Sequence, residues 1–392
     1  MALADRWLLP DGVKEILPPQ ARQVESLRRR ILDIYDNWGY EQVMPPLLEH
    51  LESLMTGVGK DLELNTYKLV DQASGQALGL RADITPQVAR IDAHRMQEEG
   101  ANRLCYCGSV VHTKAENMLA SRNPLQVGAE IYGHAGIESD VEVISLMLET
   151  VIACGIESEL SLDLGHVDVF RGIMQAANLN EQQAKQYREL VQKKALADLG
   201  EFLASLEVES RIVEMLAVLP TLNGGVEVLE KAQQLFADAP QSVRGAISYL
   251  QELAQLLAAR YPAVDQYFDL AELRGYNYHS GVVFAALTPN FGQAVAKGGR
   301  YDSIGADFGR ARAATGFSAD LKTLADMAQP IAPRKAILAP AQEDSSLLQV
   351  VARLRSQGER VIQSLPGDES SLLAHCDRVL EKQGGSWVVV AR

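Results

Sequence analysis

The chain has 392 residues, 47% of them hydrophobic and 22% charged, which argues for a folded globular protein and against a disordered one. At roughly 100–200 residues per domain it holds about two to three domains. No uncharged apolar run approaches the ~20 residues that cross a bilayer, and the net charge of −14 disfavours a nucleic-acid partner without excluding one. The opening Met-Ala-Leu-Ala-Asp-Arg-Trp carries charge where a signal peptide needs an apolar run, so a cytoplasmic protein is expected, with no membrane association. Cys105, Cys107, Cys154 and Cys376 lack the spacing of a zinc site and are expected to be buried free thiols. No metal and no cofactor are expected.

Residues 20–37 predict a helix, because Val24, Leu27, Ile31, Leu32 and Ile34 recur at helical spacing. Arg28-Arg29-Arg30 falls on its solvated side. A short strand follows at Tyr40–Met44, then a hairpin of Thr66–Val70 and Ala77–Leu80 around Ser74-Gly75. Ile84–Glu99 predicts a helix with Pro86 in its first turn. Strands are expected at Leu104–His112, Gln126–Tyr132 and Leu160–Leu164, with an apolar helix at Asp140–Cys154. Between about 166 and 265 strand signals vanish and Leu, Ala, Glu and Gln dominate, broken by Pro220 and Asn223-Gly224-Gly225. Strands return at 266–287 and 293–297, and Ala313–Met327 contains the last helix of the main domain. Residues 328–334 read as a linker. Residues 335–392 alternate strand, helix, strand, helix, strand, as a small α/β unit. His134 and His166 are expected to be structural.

Four polar clusters interrupt the apolar elements. In Leu80-Arg81-Ala82-Asp83-Ile84-Thr85-Pro86, Asp83 and Thr85 stand where a strand becomes a helix, in position to cap it or to hold a ligand. Gln126 and Glu130, four apart on a strand, share a face. A polar ligand would satisfy them, and so would solvent. Glu272-Leu273-Arg274-Gly275-Tyr276-Asn277-Tyr278-His279-Ser280-Gly281 sets a guanidinium beside a glycine, which lets an anion approach closely. Lys297-Gly298-Gly299-Arg300-Tyr301-Asp302 reads as a tight turn, against a ligand or in a plain hairpin. There is no phosphate-binding P-loop, dinucleotide fingerprint or nucleophile elbow.

In this order the clusters resemble a family. Gly39-Tyr40-Glu41-Gln42-Val43-Met44-Pro45-Pro46-Leu47-Leu48-Glu49 is similar to the first class II synthetase motif. Leu80 to Thr85 resembles the histidine amino-group loop, Arg274-Gly275-Tyr276-Asn277-Tyr278 the histidine-specific signature, and Gly298-Gly299-Arg300-Tyr301-Asp302 the segment after it. Residues 5–327 thus resemble the histidyl-tRNA synthetase core. They are closer still to its non-charging relatives, the regulatory subunits of short-form ATP phosphoribosyltransferase. The resemblance implies an α+β fold, with a mixed, mainly antiparallel sheet flanked by helices. It implies a core of 1–165 and 266–327, a helical insertion of 166–265 and a small C-terminal α/β domain of 335–392. It also implies histidine-binding candidates: Asp83, Thr85 and Gln126 around the amino group, Glu130 at the imidazole, Arg274 near the carboxylate, and Tyr278 and His279 from the signature.

The departures are at the ATP site. A synthetase bends ATP over two arginines. Here His112 and Lys114 replace the Arg and Glu of the second motif, and Lys322 and Thr323 replace the Glu and Arg that end the third. Losing one preorganised donor of this kind typically costs on the order of 10²–10³ in rate. Threonine has no cationic fork, and neutral imidazole is a poor one. The expected protein is therefore not an enzyme. It is a regulatory subunit, a homodimer within a hetero-oligomer, which activates the short catalytic subunit and couples it to histidine feedback in the first step of histidine biosynthesis. No tRNA is expected. The alternatives are a histidyl-tRNA synthetase with a divergent ATP site and a synthetase-like protein with another partner. Histidine is expected either in the synthetase-like pocket or at the contact with the partner.

Overall fold

The computed structural model describes residues 7–57, 59–96, 98–115, 120–156, 160–273, 278–289, 291–367 and 369–392. Its contacts separate two compact units, Met1–Gln329 and Pro330–Arg392. Among the described residues, no helix is long and apolar enough to cross a membrane.

In the larger unit, α1 (Gln20–Asn37) buries Val24, Leu27, Ile31 and Tyr35, a stripe at three- and four-residue spacing. Arg28 and Arg29 of its solvated side pair with Glu25. Next come β1 (Glu41–Gln42), β2 (Leu48–His50), α2 (Leu51–Met55), α3 (Lys60–Asn65), β3 (Tyr67–Val70) and β4 (Ala77–Leu80). The expected hairpin forms, and β2 joins it as a small antiparallel sheet in the order β2-β4-β3. The single helix expected over 84–99 is instead α4 (Thr85–Ile91) running into a π-helical turn, Asp92–Met96. Buried Asp92 accepts from Asn102 and pairs with Arg312, which ties down that turn.

Then follow β5 (Asn102–Ser109), β6 (Leu125–Tyr132), α5 (Ile137–Ala153) and β7 (Ser161–His166). The helical segment contributes α6 (Val167–Ala177), α7 (Glu181–Gln192), α8 (Leu196–Ala204), α9 (Ser210–Val218), α10 (Glu227–Leu235) and α11 (Gln241–Arg260). It is not wholly helical, because the two-residue β8 (Asn223–Gly224) pairs with β9 (Asp265–Asp269). The unit ends with β10 (Val282–Thr288), β11 (Phe291–Arg300), α12 (Ile304–Asp307), β12 (Ala314–Asp320) and α13 (Leu321–Met327). Residues 313–327 thus hold a strand as well as the expected helix.

Nine strands form one sheet in the order β1-β5-β6-β12-β11-β10-β7-β9-β8. Only β1–β5 and β7–β9 pair in parallel. Strand alternation gives the sheet two chemistries. Val127, Ala129 and Ile131 of β6 join α1 and the mostly buried α5 in the main core. Gln126, Gly128, Glu130 and Tyr132 point to the other face, where Leu104, Tyr106 and α4 pack. Cys105, Cys107, Cys154 and Cys376 are free thiols, and burial pushes Cys107 up to about 11.

The smaller unit contains β13 (Ala336–Ala339), α14 (Ser345–Ser356), β14 (Val361–Gln363), α15 (Glu369–Leu372), β15 (Cys376–Gln383) and β16 (Ser386–Ala391). Its sheet order is β14-β13-β15-β16. The last two strands form an antiparallel hairpin where one strand was expected. It turns at Gly384 and Gly385, whose φ values of 57° and 87° suit glycine.

Candidate ligand pocket

A cleft of about 480 Å³ opens on the second face of the nine-stranded sheet. Asp83, Thr85, Tyr278, His279, Lys297 and Tyr301 line it.

Asp83 and Thr85 come from the entry to α4. Asp83 Oδ1 accepts from the Thr85 amide at 3.0 Å, which is the capping role. The same oxygen accepts from Gln126 Nε2 at 2.8 Å, and Gln126 Oε1 accepts from the Ile84 amide at 2.9 Å. Gln126 therefore fixes the carboxylate to β6. Glu130, on the same side of β6, is 1% exposed. The Tyr132 hydroxyl donates to its Oε2. Its Oε1 and the hydroxyls of Tyr278 and Tyr301 have no hydrogen-bond partner among the described residues. Burial pushes the carboxyl up to about 7, and the Asp83 charge adds to the rise. The Tyr132 hydroxyl, bonded to Oε2, pulls it back. Tyr278 and Tyr301 stack with centroids 5.2 Å apart, and His279 meets Tyr278 edge-on at 5.3 Å.

The structure thus sets Asp83, Thr85, Tyr278 and His279 in the cleft wall, with Gln126 behind it holding Asp83 and Glu130 buried on the same face of β6. Arg274 lies outside the described residues, as do Gly275, Tyr276 and Asn277. Sequence reasoning missed the parts played by Tyr106 and Tyr132, and it put Lys297 and Tyr301 in a tight turn. Tyr106 and Tyr132 look like ordinary core aromatics until the strands pair.

The glycine cluster at 297–302 is not a turn. It lies within and just after β11, with Gly299 opposite both Gly316 and Val283. A Cβ on Gly299 would stand 2.5 Å from the His279 ring, and one on Gly316 2.5 Å from the Tyr301 hydroxyl. The floor is glycine because the pocket rings descend onto backbone. Arg300 points to the opposite face. Its guanidinium bonds buried Asp140 (Nε–Oδ2 3.0 Å), Ser139 Oγ (2.9 Å) and two carbonyls, so it anchors α5 rather than a ligand.

Three of the four substituted ATP positions are engaged with their own chain. His112 Nε2 meets the Ala82 carbonyl at 2.9 Å, and Thr323 donates to Asp320 at 3.1 Å. Lys322 donates to the Asn123 carbonyl, and burial lowers its pKa. Arg122, nearby, donates to the carbonyls of His112 and Asp11 and to the Tyr67 hydroxyl. Of the expected structural histidines, His166 caps α6, and burial pushes it down to about 4. His134 lies in a partly exposed loop and serves through its carbonyl.

Residues 12–324 match the histidyl-tRNA synthetase family model, and residues 334–390 match the model for the ATP phosphoribosyltransferase subunit HisZ C-terminal domain. An ATP phosphoribosyltransferase regulatory subunit from Alkalilimnicola ehrlichii is 52% identical over 98% of this chain and 97% of its own. One from Stutzerimonas stutzeri is 50% identical over 99% of each. The chain belongs to the family of ATP phosphoribosyltransferase regulatory subunits. Among solved structures, a regulatory subunit/histidyl-tRNA synthetase from Bacillus halodurans C superposes with a TM-score of 0.84 at 26% identity, covering 95% of this chain and 97% of that one. Histidyl-tRNA synthetase from Nostoc sp. PCC 7120 gives 0.79 at 20% identity over 98% and 97%, a likeness of fold. The regulatory-subunit family is thus built on a class II synthetase fold.

Proposed function

We propose that this chain regulates a separate, short catalytic ATP phosphoribosyltransferase subunit, activating it and coupling it to inhibition by histidine. The partner carries the chemistry. The observation that carries the reading is the pairing of two sites. The acid- and tyrosine-walled pocket has unsatisfied polar atoms in and beside its wall, on Tyr278, Tyr301 and Glu130, while the positions that would grip ATP are engaged by the chain itself. A pocket without its ATP machinery suits recognition rather than adenylation. Histidine brings a ring N–H for Glu130 and an ammonium for Asp83. Exposed Met44, Leu47 and Leu48, in the segment resembling the first class II motif, support a subunit contact there and a homodimeric core within a larger assembly.

The test is phosphoribosyl-ATP formation by the short catalytic subunit of the same organism. The expected result is stimulation that saturates at a fixed ratio, with co-elution, and histidine inhibition that requires this chain. Absence of both stimulation and co-elution overturns the reading for that pair. Histidine-dependent ATP–pyrophosphate exchange is expected to be absent, and its presence would restore the synthetase alternative. Replacing Glu130 and Arg274 together by Ala is expected to weaken histidine inhibition. Unchanged inhibition would move the histidine site to the contact between subunits.

A further inference from the structure

Two struts run from the pocket wall into the helical segment. The first is α6. Arg171 Nη2 donates to the His279 carbonyl at 3.0 Å, and Arg171 Nη1 pairs with Asp168 Oδ1 at 3.1 Å, which orients the guanidinium. One turn earlier, the Val167 amide donates to the Gly281 carbonyl at 3.1 Å. The segment bearing Tyr278 and His279 is therefore fastened to the first two turns of α6. Its other side is fastened to β11 and the residues after it, through Ser280 amide to Arg300 carbonyl (2.7 Å) and Asp302 amide to Ser280 Oγ (2.9 Å).

The second strut is α11. Its Tyr249 donates to Asp140, the carboxylate that holds Arg300, next in sequence to the pocket residue Tyr301. The two helices are packed against each other. A Cβ on Gly172 of α6 would lie 2.6 Å from Val243 Cγ2 and 2.7 Å from Ser242 Oγ of α11, so the pair is in close contact. The His166 ring, at the head of α6, packs edge-on against Tyr249 at 5.6 Å.

We infer that Arg171 is a positioning residue that links occupancy of the pocket to the placement of the α6–α11 block. A ligand that draws His279 inward pulls on α6 through the guanidinium, and a partner that shifts the block moves His279 in turn. Linkage of this kind is reciprocal. The inference rests on the pocket being the histidine site.

The test uses the full chain with L-histidine as probe. Calorimetry gives the dissociation constant and hydrogen exchange reports α6 and α11, for the wild type, Arg171→Met, Arg171→Lys and Glu130→Gln. In the wild type, histidine is expected to slow exchange across α6 and α11. Arg171→Met, which keeps bulk but no donors, is expected to bind about tenfold more weakly, the effect of one charge-assisted hydrogen bond. It is also expected to lose the histidine-dependent protection, with Arg171→Lys intermediate and the melting temperatures close together. A lost protection pattern in a variant that melts normally is not what a merely structural role gives. If Glu130→Gln weakens binding but Arg171→Met keeps wild-type affinity and protection, the coupling is refuted and the pocket stands. If the wild type binds no histidine, or Glu130→Gln binds unchanged, the pocket reading fails and takes the inference with it.

Discussion

Glu130 is the residue whose setting most departs from that of a solvated carboxylate. Its pKa is held at about 7 against an ordinary 4.5 by burial. The folded state therefore binds more protons than the unfolded state between those values. The stabilising contribution is full below about 4.5 and is lost as pH rises through about 7. Its size is about 3 kcal/mol at most, from a shift of this order. Melting temperature against pH is expected to fall between about pH 4.5 and 7 more steeply for the wild type than for Glu130→Gln. Parallel curves would show that Glu130 does not titrate there. The expectation for histidine follows. Affinity should rise with pH as the carboxylate forms, then level off, and Glu130→Gln should flatten that limb.

At the scale of elements, Arg300 and Asp140 join β11 to α5 through a pair whose side chains are 8% and 0% exposed. Such a pair adds little over a good apolar contact, but breaking it strands a charge. Arg300→Met is expected to cost about 3–5 kcal/mol in urea denaturation. The double variant Asp140→Asn, Arg300→Met should recover part of that loss, and simple additivity would refute the account. Gly298 makes a sharper case, since a Cβ there would stand 2.1 Å from the Gly316 carbonyl oxygen. Gly298→Ala is expected to lose at least about 1–3 kcal/mol, since neither strand backbone can yield. That cost would show in the same denaturation curves. The sequence shows the paired glycines plainly but not their place. A turn and a mid-strand floor both call for glycine, the first for positive φ and the second for close approach.

At the scale of the molecule, every pocket residue belongs to the larger unit. A chain ending at Gln329 is therefore expected to keep the full-length affinity for histidine in calorimetry. Loss of binding in a folded truncated chain would assign the C-terminal unit a share in the site. That unit is matched separately, by the family model for the C-terminal domain of the ATP phosphoribosyltransferase subunit. The same truncated chain, tested for co-elution with the catalytic subunit, would tell whether the C-terminal unit is needed for assembly.

The sequence alone determined many of the local elements and the family. Helical spacing in α1, alternation in β6 and the turn at Ser74-Gly75 are short-range signals that tertiary packing reinforces. The ordered clusters from Gly39 to Asp302 carried the family and the changed ATP positions, because residue identity at a motif needs no coordinates. The structure decided what depends on strand pairing across long stretches of chain. Register set Gln126, Glu130, Gly316 and the tyrosines on one face of the sheet. It turned the expected loop at Gly298-Gly299 into the pocket floor, and it assigned Arg300 to Asp140 rather than to a ligand. A single-residue slip would exchange the two faces, and nothing in a strand's own sequence specifies which distant strand it will meet.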